Sequence, residues 1–242
     1  MESWEYGAVG IANPGYSPLR RYFELIENTQ SVNGDIAEFG VSRGSSLITT
    51  ALISRQLNSD KKIYGFDTFE GFPGYSKNDD FELFNQLHTS RKITDSHFKK
   101  ILLNRDYILV RGANTDPSSI SNSADFSNTN IELVRKKIDF FKLNENVKLI
   151  QGDFTQGLRE TISGLNFSLV LLDSDLYDSY ANTLPIIWDH LSKGGYIYLD
   201  EYYSLKFPGP RIAVDSFVNQ NDCQLVRLED WLDFERWAIF KK

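Results

Sequence analysis

Gly34-Asp35-Ile36-Ala37-Glu38-Phe39-Gly40-Val41-Ser42-Arg43-Gly44-Ser45-Ser46 reads as a strand, a tight glycine turn and the start of a helix. Ile36 to Phe39 is a short apolar run carrying one acid, and Gly40 and Gly44 remove Cβ atoms where the backbone must turn and admit a ligand. Ser45 and Ser46 are placed to cap a helix continuing through Leu57. The free N–H groups and positive dipole end of such a helix suit an anionic or polar ligand edge. By itself the Glu-x-Gly-x-x-x-Gly spacing only points to an α/β protein, so its neighbours must decide what it binds.

Downstream, Lys61 to Asp67 reads as a second strand ending in an acid. Strand, glycine turn, helix, strand and acid is the order of a parallel βαβ unit. Asp67 lies where an acid accepts hydrogen bonds from a ribose diol in nucleotide-binding folds, although a solvated turn acid would look the same. Upstream, residues 1 to about 18 form a Gly-, Pro- and Tyr-rich arm. Leu19 to Thr29 is an amphipathic helix expected to pack on the sheet edge.

From Glu70 to about Asn130 the periodicity breaks down, and only Ile101 to Val110 is clearly apolar. A stretch this long between core elements reads as a lid or substrate loop, placed at 74–130. His88 and His97 lie in it and read as surface or packing residues ahead of catalytic bases. Regularity returns with a helix, Ile131 to Phe141, a strand, Val147 to Gln151, and Gly152-Asp153-Phe154 at that strand's carboxyl end, before a short helix, Thr155 to Ser163. Phe167 to Leu172 is the most apolar run and reads as a central buried strand. It leads into Asp173-Ser174-Asp175-Leu176-Tyr177-Asp178. A helix to Ser192 follows, kinked or restarted at Pro185 and ended by a Lys193-Gly194-Gly195 cap. Tyr196 to Leu199 is a strand ending in Asp200-Glu201. A helix from Arg211 to about Asn219 precedes two final strands, Gln224 to Arg227 and Arg236 to Phe240, expected as an antiparallel pair at the sheet edge. No internal repeat is visible, and residues 1–242 read as one domain.

Apolar and charged contents of 41% and 24% are globular values for a 242-residue chain. The net charge of -7, with no basic run, argues against a nucleic-acid partner. Cys223 is the only cysteine, which excludes an intrachain disulfide and a thiolate zinc site. Apolar runs such as Leu169 to Leu172 are too short to span a bilayer, so a cytoplasmic protein without membrane contact is expected.

Two acid pairs, Asp173 with Asp175 and Asp200 with Glu201, each follow an apolar strand. In neighbouring parallel strands all four carboxylates would meet, and such crowding favours a hard cation, Mg2+, Mn2+ or Ca2+. Helix capping by Asp175 and Asp178 is the simpler alternative, but it leaves Asp173 and the second pair unexplained.

Taken in order, Glu38-Phe39-Gly40-Val41-Ser42-Arg43-Gly44, Gly65-Phe66-Asp67-Thr68-Phe69-Glu70-Gly71-Phe72-Pro73, Gly152-Asp153-Phe154, Asp173 to Ser179, Gly194 to Tyr202 and Arg211 to Phe217 resemble the macrocin O-methyltransferase family. The resemblance runs from about Arg20 to Phe217. It implies an α/β, Rossmann-like class I methyltransferase: a mostly parallel seven-stranded sheet with helices on both faces and a lid insertion. It also implies S-adenosyl-L-methionine, a divalent cation such as Mg2+, and as partner a small sugar or glycoside acceptor; a homo-oligomer is compatible with it. Carried over by position, Glu38, Gly40, Gly44 and Ser45 would line the methionine part, Asp67 would hold the ribose, and Asp153 with Phe154 would flank the adenine. Asp173, Asp200 and Glu201 would be the metal ligands and Asp175 the general base. Glu201 departs from the aspartate of many members, Pro185 is unlike the usual helix, and the 74–130 segment aligns with no motif. Three other readings are an Asp-x-Asp glycosyltransferase holding Mg2+ and a nucleotide sugar, a nicotinamide dehydrogenase disfavoured by the lack of Gly-x-Gly-x-x-Gly, and a cofactor-binding protein without chemistry.

Overall fold

The computed structural model describes residues 6–242 except 8, 113–115, 117–119, 121–124, 232 and 233. Helix α1 (Arg20–Asn28) buries Tyr22, Phe23, Leu25 and Ile26. Strand β1 (Asp35–Phe39), helix α2 (Ser45–Gln56) and strand β2 (Ile63–Asp67) form the expected parallel unit, with Ile36 paired to Ile63. A 3-10 turn (Lys77–Asp79), α3 (Leu83–Thr89) and α4 (Asp95–Val110) come next, then α5 (Ile131–Phe140), β3 (Val147–Gln151), α6 (Leu158–Thr161) and β4 (Phe167–Leu172). Helix α7 (Tyr177–His190), β5 (Leu191–Leu199), a 3-10 turn (Asp200–Tyr203), α8 (Gly209–Gln220), β6 (Gln224–Trp231) and β7 (Phe234–Phe240) complete the order.

The seven strands lie in the order β3-β2-β1-β4-β5-β7-β6. Strands β1 to β5 are mutually parallel and β7 runs antiparallel to both β5 and β6. The chain therefore winds outward from β1 in one direction and from β4 in the other. That opens a crevice at their carboxyl ends, where such sheets bind ligands. This is the Rossmann-like class I methyltransferase fold.

All six residues of β4 are buried because helices cover both faces. Leu169 and Leu171 pack with Tyr22, Leu47, Ile48 and Val134 on one side, while Phe167, Val170 and Leu172 pack with Leu158, Tyr180, Leu184 and Val214 on the other. Each such side chain contributes roughly 1.5–3 kcal/mol of transfer free energy.

Four sequence expectations change. Helix α1 packs over the face of the sheet, not its edge: the Tyr22 ring meets Tyr198 of the interior strand β5 edge-on at 5.7 Å. Lys193-Gly194-Gly195 is not a helix cap, because Leu191 already pairs with Phe167; the glycines instead sit in an irregular start of β5, with Gly194 at φ +83°. Of the two outcomes expected at Pro185, a kink or a restart, the restart is excluded, since α7 runs through it as one helix. Among its described residues the 74–130 segment holds helices α3 and α4 with their own cluster, in which Phe81, Phe84, Leu87, Ile101 and Ile108 pack with Leu176 and Phe207. Its order was hidden because α4 buries Ile101 and Ile108 yet exposes Leu103, Leu109 and Val110, which erases a one-faced pattern. The stem of the segment is closed by Phe72 N–H donating to the Asp125 carbonyl at 2.9 Å.

Candidate functional site

The glycine turn works through contacts that no side chain would allow. Gly40 has φ +97°, and a Cβ there would lie 1.7 Å from the Asp173 carbonyl oxygen, so the turn after β1 can cross the turn after β4 only as glycine. Gly44, at φ +77°, is itself the N-cap of α2. Ser45 and Ser46 therefore do not cap the helix as expected. Ser45 Oγ donates to the Gly10 carbonyl at 2.9 Å and Ser46 Oγ to Glu38 Oε1 at 2.6 Å. Glu38 is fully buried, and burial raises its pKa well above the usual carboxylate range. Its Oε2 has no hydrogen-bond partner.

Asp67, at the end of β2, accepts Ser42 N–H at 2.8 Å through Oδ2 and Phe69 N–H at 2.6 Å through Oδ1, bracing both lips of the turn. Beside it opens a cavity of about 280 Å³ whose lining includes Gly40, Ser42, Ser45, Ser46, Asp67, Phe126, Phe154, Asp173 and Asp175. Phe154 stands edge-on to Phe39 at 5.5 Å. Asp153, Glu38 and Gly44 stand outside that lining. Asp153 is bound by its own turn, accepting from Thr155 N–H at 2.9 Å and from Gln156 Nε2 at 2.9 Å. Ser42, Phe126 and Asp175 all have positive φ, a concentration of backbone strain around one cavity.

Strands β4 and β5 are parallel neighbours with Leu172 opposite Leu199, so their two acid pairs emerge together. Carboxylate oxygens of Asp173, Asp175 and Glu201 lie within 4.8 Å of one another. Asp200 is held to one side by Arg236, Nη1 to Oδ1 3.2 Å. Tyr180 hydroxyl donates to Glu201 Oε2 at 2.6 Å. Desolvation by the walls, then Asp200 and Asp175, raise the Asp173 pKa well above normal; desolvation and then Asp173 do the same to Glu201. Asp175 is pushed up to about 6 by desolvation, restrained by Lys206. Three crowded carboxylates disfavour their own ionisation, and a cation among them would relieve it.

A second cavity, also about 280 Å³, is walled by Asn104, Phe126, Ser204, Leu205, Lys206 and Phe234 together with all four acids. The two cavities share Asp173, Asp175 and Phe126. Sequence reasoning missed Asn104, Phe126, Lys206, Phe234, Tyr180 and Arg236, which converge from remote positions without a motif. It also missed Asp79, whose Ser76-x-x-Asp79 capping-box spacing was a readable signal. Both histidines pack, as read. His97 Nε2–H donates to the Ser204 carbonyl at 2.9 Å, its ring stacks on Tyr203 at 3.7 Å, and desolvation lowers its pKa to about 4. His88 pairs with Asp95 at 2.8 Å.

The sequence profile described as Macrocin-O-methyltransferase (TylF) matches residues 15–121 and 111–231. The chain belongs to the macrocin O-methyltransferase family. Curated relatives include the 8-demethyl-8-(2,3-dimethoxy-alpha-L-rhamnosyl)-tetracenomycin-C 4'-O-methyltransferase of Streptomyces olivaceus, 26% identical over 71% of this chain and 54% of its own length. Another is the demethyldecarbamoylnovobiocin O-methyltransferase of Streptomyces niveus, 25% identical over 84% of this chain and 66% of its own. The chain thus spans between about half and two thirds of the length of these relatives. Among solved structures, the calicheamicin methyltransferase CalS11 superposes with a TM-score of 0.65 at 20% identity, over 91% of this chain and 77% of that one, a likeness of fold. Membership of the macrocin O-methyltransferase family sets aside the glycosyltransferase and dehydrogenase readings. Among the described residues no helix is long and apolar enough to cross a membrane.

Proposed function

We propose that this chain is an S-adenosylmethionine-dependent, divalent-cation-dependent O-methyltransferase acting on a hydroxyl of a sugar or glycosylated natural product. The observation that carries the reading is the meeting of two cavities at Asp173 and Asp175, one beside the glycine turn and one beside the acid loops. Methyl transfer to an alcohol needs that arrangement: a donor and an acceptor held in line, with a proton acceptor where they meet. Both curated relatives are named as O-methyltransferases, and one name carries a rhamnosyl group.

The residues fit both groups. Glu38 Oε2 is an unpartnered buried acceptor next to Ser46, which lines the first cavity, and Gly40 lets the two turns that wall it cross. Gly40 and Ser45 would hold the methionine part directly, with Glu38 acting through Ser46 and Gly44 shaping the helix start, and Asp67 would hold the ribose. Phe154 would lie against the adenine, with Asp153 fixing the turn that carries it. The Asp173, Asp175 and Glu201 triangle has the hard oxygen donors a divalent cation takes, with Asp200 at its margin. When bound, the donor supplies an electrophilic methyl group and the cation lowers the pKa of an acceptor hydroxyl. Asp175, which lines both cavities where donor and acceptor would meet, is placed to accept that proton. Lys206 and Asn104 would meet the acceptor's polar groups, while Phe126 and Phe234 offer apolar walls to a sugar ring.

Calorimetry of the purified protein with S-adenosylhomocysteine, with and without Mg2+, tests the donor half. Binding that is lost in Asp67→Ala is expected. Transfer from labelled S-adenosylmethionine to a panel of glycosides and nucleotide-linked sugars, abolished by Asp175→Asn and by chelator, tests the rest. No binding of S-adenosylhomocysteine would sink the proposal; binding without transfer to any acceptor would favour a cofactor-binding protein.

A further inference from the structure

The 74–130 segment reaches the carboxylate cluster through Asp79, a side chain with no part in the proposed chemistry. Asp79 ends the 3-10 turn Lys77–Asp79 and is 1% exposed. Its Oδ2 accepts Ser76 N–H at 3.0 Å, closing a capping box within its own segment. Its Oδ1 accepts Tyr177 N–H at 2.8 Å. Tyr177 is the first residue of α7, and the N-cap Leu176 offers no side-chain cap, so an orphan amide of α7 is satisfied from outside the helix. A carboxylate suits that end of a helix.

The link this bond secures is the one that carries Asp175. The residue sits at φ +61°, a region that residues with a side chain seldom adopt. The turn around it is closed by Leu176 N–H donating to the Ser174 carbonyl at 2.7 Å. Before the turn, Asp173 N–H donates to the Phe39 carbonyl at 2.9 Å; after it, Tyr177 is fixed by Asp79. A short link pinned at both ends leaves Asp175 little choice. A third element locks the clamp: a Cβ on Gly209, the first residue of α8, would lie 2.2 Å from Asp79 Oδ1 and 2.6 Å from Tyr177 Cβ. Only glycine there leaves room for the carboxylate.

We propose that Asp79 is a positioning residue, holding Asp175 through the Tyr177 amide in the strained backbone conformation that places its carboxylate at the junction of the two cavities. Docking of the 74–130 segment and completion of the carboxylate cluster are then one event. The chemical meaning of the clamp rests on the methyltransferase reading, but its existence can be measured apart from turnover.

Two full-length variants test it. Asp79→Asn keeps the shape but turns one acceptor into a donor facing an amide, and Gly209→Ala displaces the carboxylate without changing its charge. Amide hydrogen exchange is followed in peptides covering 173–180 and in β1 and β4, and Mn2+ and S-adenosylhomocysteine affinities are measured by calorimetry. In both variants exchange at Leu176 and Tyr177 should be about tenfold faster or more, the scale of one lost hydrogen bond. Mn2+ should bind about tenfold more weakly, while exchange in β1 and β4 stays at wild-type rates. Wild-type exchange at Leu176 and Tyr177 in both variants overturns the proposal, as does faster exchange with unchanged Mn2+ affinity. Equal acceleration throughout β1 and β4 also overturns it, since Asp79 would then only stabilise the fold. If the wild-type protein fails to bind S-adenosylhomocysteine, the functional reading falls while the exchange measurement still decides the clamp.

Discussion

The chamber beside Gly40 and the chamber beside Lys206 share Asp173, Asp175 and Phe126, yet their remaining walls are made differently. The first is shaped by backbone: a glycine at φ +97° against a carbonyl oxygen, and amides of Ser42 and Phe69 drawn onto Asp67. Most of it comes from two short stretches that follow β1 and β2. The second is shaped by side chains brought from Asn104, Ser204, Lys206 and Phe234, whose neighbourhood exists only after the 74–130 segment has packed against the loop following β5. Under the proposed function, the wall of backbone would hold the common donor and the wall of exchangeable side chains would select among acceptors.

That contrast breaks most severely at Gly40. Gly40→Ala should destabilise the protein by more than about 4 kcal/mol and abolish S-adenosylhomocysteine binding, because its Cβ would occupy the Asp173 carbonyl. Chemical unfolding and calorimetry would show both. On the other side, His97 supports the second chamber by holding the Ser204 carbonyl as a neutral imidazole. Its pKa falls from 6.5 to about 4 on folding. The unfolded chain therefore binds the proton first, and stability that is complete above pH 6.5 is lost as pH falls through 4, by about 3 kcal/mol in total. Urea unfolding across that range should show a flatter pH dependence in His97→Gln, with affinity for S-adenosylhomocysteine at neutral pH retained.

Tyr180→Phe removes the donor to Glu201, which lines the second chamber, and should lower stability by about 1–3 kcal/mol in urea unfolding. Arg159→Ala breaks an exposed 3.1 Å pair with Asp189, remote from both chambers, and should change stability by less than about 0.5 kcal/mol.

The same difference explains what could be read before the structure was known. The strand, glycine turn and acid are local in sequence, so β1, α2, β2 and the place of Asp67 were legible, and apolar runs located β3 to β5 and the antiparallel β6 and β7. The acid pairs were legible because Asp173 and Asp200 directly follow buried strands. That Asp175 joins Asp173 and Glu201 while Asp200 turns to Arg236 was not, because it depends on a positive-φ turn at Asp175 and on β7 lying beside β5. Ser45 and Ser46 looked like caps because serine suits that position, but an αL glycine N-cap leaves their hydroxyls free to bind Gly10 and Glu38. The helices α3 and α4 escaped because they serve a small core of their own and leave apolar side chains facing out.

The closed stem at Phe72 and Asp125 separates the length of the intervening chain from the geometry of the sheet. With both ends already joined, insertion or loss of residues between them changes a loop-closure entropy that grows only logarithmically, about 0.6 kcal/mol for each doubling. If the segment faces the acceptor as proposed, it could be exchanged between relatives as a cassette, provided its packing on Leu176 and Phe207 is kept. A chimera would keep its donor chamber if it preserves Gly71, whose Cβ would sit 2.5 Å from the Asp125 carbonyl, and Asp79, through which a new cassette would have to grip α7.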